Sequence, residues 1–151
     1  MLRISKMTDY GALVMTALAR DPAGLHNTAD LAARTHVAEP TVSKLLKLLA
    51  RNGLVASSRG AHGGYRLARA PESIRMTDII AALEGPIGLT QCTHEPGICG
   101  IEHSCGVRSH WQVINRAIKK ALDSITLAEM AAPVRQVQMH MQPLTRAVAG
   151  A

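Results

Sequence analysis

"NTADLAARTHVAEPTVSKLLKLLARNGLVASSRGAHGGYRLAR" (residues 27–69) runs two short helical patterns straight into a glycine-rich hairpin. Asn27 or Thr28 caps the first helix, 27–35, and Leu31 faces inward. Pro40 suits the first turn of the second helix, 40–53, because its missing N–H would have no intrahelical partner there. Val42, Leu45, Leu46 and Leu49 form the stripe to be buried, and Gly53 is the expected left-handed stop. Residues 54–69 then read strand, tip, strand. Leu54 and Val55 lead in, Gly60, Gly63 and Gly64 make the tip, and Tyr65 and Leu67 lead out. Two helices joined by a tight turn and followed by a hairpin predict a helix-turn-helix with a wing.

The charge sits on the same stretch. The 151-residue chain carries a formal +6, and residues 28–70 hold seven Lys/Arg against Asp30 and Glu39, a local +5. A basic footprint of this kind suits a polyanion, although a solvated basic face with no partner gives the same count. The residue types favour duplex DNA. Thr41, Ser43, Lys44 and Lys47 lie largely off the apolar stripe of the second helix. Short hydroxyls there reach base edges or phosphates, and long cations neutralise phosphate. Arg59 and His62 flank or occupy the wing tip, where slim Gly63 permits close approach and Arg59 fits a narrow minor groove. Thr28 joins this set of expected DNA contacts.

Outward from this centre the chain reads mainly as helix. "TDYGALVMTALAR" (8–20) places Tyr10, Leu13, Val14, Ala17 and Leu18 at helical spacing, with Thr8 as the expected cap. "PESIRMTDIIAALEG" (71–85) predicts a fourth helix with Ile79, Ile80 and Leu83 inward. From Val107 a long helix carries Trp111, Ile114, Ile118, Ala121, Leu122 and Ile125 three to four residues apart. Such a stripe outside the winged unit is expected to pair with a second copy of the chain. "TLAE" (126–129) fits a capping box. The predicted organisation is a winged helix-turn-helix domain over 1–85, a cysteine-rich loop over 86–106, a dimerisation helix region over 107–132 and a flexible tail over 133–151.

Composition sets bounds. Apolar residues make up 47 % with no Phe, so the core must come from Leu, Ile, Val, Ala and Met, a palette that suits helices. No apolar run is long enough to span a membrane, and "MLRISK" does not open a signal peptide, so a cytoplasmic protein is expected. All three cysteines, Cys92, Cys99 and Cys105, fall in "CTHEPGICGIEHSC" (92–105). An odd number of cytosolic thiols argues against a structural disulfide. Tight Cys-x2–4-Cys pairs that bite one zinc ion are absent, and wider gaps suit a larger group such as an iron–sulfur cluster. By spacing alone, cluster and zinc stay close together; zinc could add His94, His103 or His110. A catalytic cysteine, which needs a base and a pocket, falls far behind.

The opening "LRISKMTDYG", the hairpin "RNGLVASSRGAHGGYRLAR", the three cysteines after the fourth helix, Trp111 six residues past the last of them, and "SITLAEM" together resemble the IscR-type winged-helix regulators. The resemblance spans nearly residues 1–130, and the "CTHEPGIC" loop is most similar to regulators of the Suf iron–sulfur assembly operon. It implies a homodimeric, DNA-binding repressor and not an enzyme. It implies an iron–sulfur cluster on Cys92, Cys99 and Cys105, with 2Fe–2S ahead of 4Fe–4S. It also carries over the wing role of Arg59, the recognition-helix roles of Thr41, Ser43 and Lys44, and the pairing role of the 107–125 helix. IscR-type members place a histidine ligand three residues after the last cysteine, where this chain has Arg108. Nitric-oxide-responsive members use an aspartate near the start of the first helix, donated by the partner subunit, and Asp9 matches that position. Three other readings stand beside this one: a nitric-oxide- or redox-responsive repressor, a zinc-stabilised repressor, and an iron–sulfur carrier.

Overall fold

The structure, a computed structural model, describes residues 4–60 and 63–133. Helix α1 (Lys6–Ala19) starts two residues before the expected point, because the Ser5 side chain accepts from the Thr8 N–H and acts as the cap. Thr8, predicted to cap, lies inside the helix; it is buried, and its hydroxyl donates to the Glu84 carboxylate. α2 (Thr28–Thr35) is capped by Asn27, whose side chain accepts from the Asp30 N–H at 2.7 Å. His36 turns the chain in the left-handed region (φ 55°), and α3 (Glu39–Arg51) follows after a two-residue gap. Gly53 takes φ +69° just beyond α3, the conformation expected of a stop at that position.

β1 (Val55–Ser58) and β2 (Gly64–Leu67) pair antiparallel, with Val55 opposite Leu67 and Ser58 opposite Gly64. A third piece of extended chain joins them: His26 and Tyr65 exchange backbone hydrogen bonds at 2.9 and 2.8 Å. The wing is thereby stitched to the turn before α2. A lone two-stranded hairpin is marginal in water, and this bridge supports it.

The predicted helix over 71–85 divides. Residues Pro71–Ser73 form a single 3-10 turn, Ile74 is extended, and α4 covers only Met76–Glu84. The break arises from a small ladder. The Met76 N–H donates to Ile125 O and the Leu127 N–H to Ile74 O, which fixes Ile74 and Arg75 as extended chain against Thr126. α5 (Gln91–His94) is a single turn inside the cysteine segment, α6 (Arg108–Asp123) is the long helix, and α7 (Leu127–Ala131) follows a complete Thr126–Glu129 capping box.

One core joins α1, α2, α3, α4, the wing base and α7. Val14, Met15, Leu18, Leu31, Val42, Leu45, Leu46, Leu49, Ile74, Ile79 and Leu127 are fully buried there. The predicted α3 stripe is buried at every position. Ile80 and Leu83 pack partly against the core. Leu13, read as inward from its spacing, is 45 % exposed, because the contacting faces of α2, α3, α4 and α7 leave that side of α1 uncovered. Nothing in α6 is buried.

Candidate nucleic-acid interface and cysteine loop

The outer side of α3 and the start of α2 form a shallow groove. Thr28, Glu39, Pro40 and Ser43 line one end, and Lys44, Lys47, Leu48 and Arg51 continue it along α3. Four predicted contacts, Thr28, Ser43, Lys44 and Lys47, thus share one face. Thr41 is half-buried on the same helix. Leu48 and Arg51 were missed by sequence reasoning. The signal was available, since Arg51 lies four residues after Lys47, one helical turn along the same side. Glu39, the one carboxylate in this lining, makes no ion pair among the described residues.

Arg59 is exposed directly after β1, at the tip of the wing. Across the tip the Gly63 N–H donates to Gly60 O at 2.9 Å. A Cβ on Gly63 would sit 2.4 Å from Ser58 O and 3.0 Å from Gly60 O, so only glycine fits. His62 lies outside the described residues, as does the expected flexible tail beyond Pro133.

The three thiols are free and half-buried. Cys92 sits in α5, 3.3 Å from the Thr90 hydroxyl. Cys99 lies in a bend and Cys105 in irregular chain further along. Among the described residues no three His, Cys, Asp or Glu side chains converge on a metal-sized site. Asp9 is exposed on the first turn of α1, and its carboxylate has no side-chain partner among the described residues. Asp9 joins no cluster of three or more potential metal ligands among the described residues.

What holds the loop is a pair that spacing did not reveal. Glu102 has a side chain only 4 % exposed, and it meets the Arg108 guanidinium at 2.6 Å. Its other oxygen accepts from the Gly97 N–H at 2.7 Å. Asn115 of α6 anchors the entry to the loop: it accepts from the Leu89 N–H at 3.2 Å and donates to Ile87 O at 3.3 Å. His94 bonds Pro86 O at 2.9 Å. The cysteine segment is therefore laid against α6 at both of its ends.

As donors, three soft thiolates fit an iron–sulfur cluster in kind and number. The position that would supply a histidine is instead a guanidinium already engaged by Glu102, and guanidinium has no lone pair to offer a metal. Arg108 is therefore excluded as the fourth donor, and the three thiols must draw together to share one metal group.

Residues 4–133 match the Rrf2 family, described as an iron-dependent transcriptional regulator. The HTH-type transcriptional regulator CymR of Bacillus subtilis (strain 168) is 34 % identical over 131 residues, covering 86 % of this chain and 90 % of the relative. The HTH-type transcriptional regulator IscR of Erwinia tasmaniensis is 31 % identical over 129 residues, covering 83 % and 78 %. Among solved structures, CymR, the global cysteine regulator of B. subtilis, superposes with a TM-score of 0.70 at 35 % identity over 87 % of this chain and 97 % of that one. T. potens IscR does so at 0.67 and 35 % identity, over 85 % of each. With its mainly helical winged-helix architecture and its groove of hydroxyls and cations, the chain belongs to the Rrf2 family of DNA-binding transcriptional regulators and is not an enzyme.

Proposed function

We propose that this chain is a homodimeric repressor of iron–sulfur assembly (Suf) genes that senses an iron–sulfur cluster held by Cys92, Cys99 and Cys105, with Asp9 of the partner subunit as fourth ligand. The observation that carries it is the seating of the only three thiols of the chain in one loop laid against α6. Similarity to IscR supports the same reading. A bound cluster supplies an iron centre that is gained with iron supply and lost to oxidants or nitric oxide.

The chain's own residues do the rest. Lys44, Lys47 and Arg51 neutralise phosphates flanking the major groove. Thr41 and Ser43 reach base edges, Thr28 touches the backbone, and Arg59 enters the neighbouring minor groove beside Gly63 and His62. Trp111, Ile114 and Ile118 on α6 pair with the same face of a second copy, which sets the distance between two recognition helices. Operator half-sites are then about 34–36 Å apart, or a multiple of that. Closure of the loop on its ligand displaces α6 through Asn115 and Arg108, and so resets that distance.

A second reading is favoured by equal likeness to the global cysteine regulator: a thiol- or redox-responsive repressor working without a cluster. Zinc on the same thiols is the third. One experiment separates them: visible absorption with iron, sulfide and zinc analysis on full-length protein purified without air. Bands between roughly 320 and 460 nm with matching iron and sulfide support the cluster. Stoichiometric zinc without colour supports a structural metal site. A metal-free, colourless protein that still binds DNA leaves the thiol-responsive reading.

A further inference from the structure

Among the described residues Glu102 is the only buried carboxylate. Taking a charged carboxylate out of water is unfavourable unless both oxygens find donors. Both do here, one from Arg108 and one from the Gly97 backbone. The three partners alternate with the thiols along the chain: Cys92, Gly97, Cys99, Glu102, Cys105, Arg108. One carboxylate therefore pins a point between the first two thiols, a point between the last two, and the first residue of α6. The Arg108 Nε is buried with no hydrogen-bond partner among the described residues. A fold that leaves a buried donor unmet carries a cost, and here that cost falls on the arginine of the same cluster.

We infer that Glu102 is a positioning residue: clasped to Arg108, it holds the three-cysteine loop against the start of α6 before the thiols take up metal. The inference rests on the metal-holding reading above and names the device that preorganises it. Arg108 does not replace the missing histidine as a ligand. It replaces it as an anchor, tying the loop that carries the thiols to the first residue of α6.

The test uses full-length, metal-free protein kept reduced and free of air, as wild type, Glu102→Gln, Glu102→Ala, Arg108→Ala and the Glu102→Ala/Arg108→Ala double variant. Two readouts are taken: the rate at which iodoacetamide alkylates each cysteine, and titration with Co(II), followed by thiolate-to-cobalt absorption. Thermal unfolding monitors the core, which the clasp does not enter. Outer partners of metal ligands typically govern metal affinity by about 10–100-fold. Glu102→Ala and Arg108→Ala are each expected to weaken Co(II) binding by that order and to speed alkylation, with the unfolding midpoint little changed. The double variant is expected to be no worse than either single, because all three break one pair. Glu102→Gln, which keeps an acceptor for Gly97, falls between. Wild-type alkylation and Co(II) binding in Glu102→Ala would overturn the assignment, as would losses that add in the double variant. Should wild type itself bind no Co(II) through its thiolates, the metal-holding reading falls, and alkylation alone then decides whether the clasp exists.

Discussion

At the scale of single residues, the wing tip is sterically constrained. Gly63 leaves room for nothing larger, and Arg59 beside it is exposed. Replacing Arg59 by Ala removes one groove contact without touching the core, and about 1–3 kcal/mol of specific binding is expected to go with it. Fluorescence anisotropy on a duplex selected by the wild-type protein measures this, and unchanged affinity refutes the wing assignment. Glu84 makes a second prediction. The Ser5 hydroxyl, 2.5 Å away, and then the Thr8 hydroxyl hold its carboxyl below the ordinary 4.5. A carboxyl depressed by folding stabilises the native state above its unfolded pKa and loses that contribution as pH falls through the folded value. Glu84→Gln is therefore expected to be less stable than wild type at pH 7, with the gap closing as the pH drops well below 4.5. Denaturation midpoints across that range check it, and a gap independent of pH would show that the charge contributes nothing.

At the scale of elements, α6 stands apart. It leaves Trp111 and Ile114 exposed, with Ile118 half-buried further along the same side. Ile114→Glu places a charge on that face while removing nothing from the core. We expect an unchanged unfolding midpoint and a shift from dimer to monomer in sedimentation velocity; a variant that stays dimeric assigns the dimer contact elsewhere. The same helix marks how far the sequence could be read. The stripes of α3 and α6, the cap at 126 and the stop at Gly53 were legible because periodicity and capping are local rules. The break at 71–75 was not, because Pro71 is as good an opening for an α-helix as for a 3-10 turn. What decides between them is Ile125 and Leu127, some fifty residues away. Leu13 had the right spacing and the wrong neighbours. The Glu102–Arg108 pair was hidden for another reason: it spans six residues of aperiodic loop, where spacing predicts no contact. In the cysteine segment, the sequence named the thiols but not what holds them.

At the scale of the whole molecule, positive charge is concentrated on the α3 groove and the wing while the termini stay near balance. If Lys44, Lys47, Arg51 and Arg59 of each protomer neutralise phosphates, a dimer displaces about eight counterions. The slope of log affinity against log salt is then roughly −7, about a ten-thousandfold loss between 50 and 200 mM. A slope near zero in a salt series would remove the phosphate contacts from the account. The two ends of α6 differ in how firmly they are held. Its C-terminal end is locked into the core by the Ile125 and Leu127 backbone bonds, by fully buried Leu127, and by Asp123 accepting from the Thr77 hydroxyl at 2.7 Å. Its other end is tied to the cysteine segment through Arg108 and Asn115. Sixteen residues make a rod of about 24 Å. Such a rod, clamped at one end, is a lever: a tilt of about 10° at Ser124 swings Arg108 through about 4 Å. Read from the other end, a loop that tightens by about 4 Å asks the clamped end to rotate by about 10°.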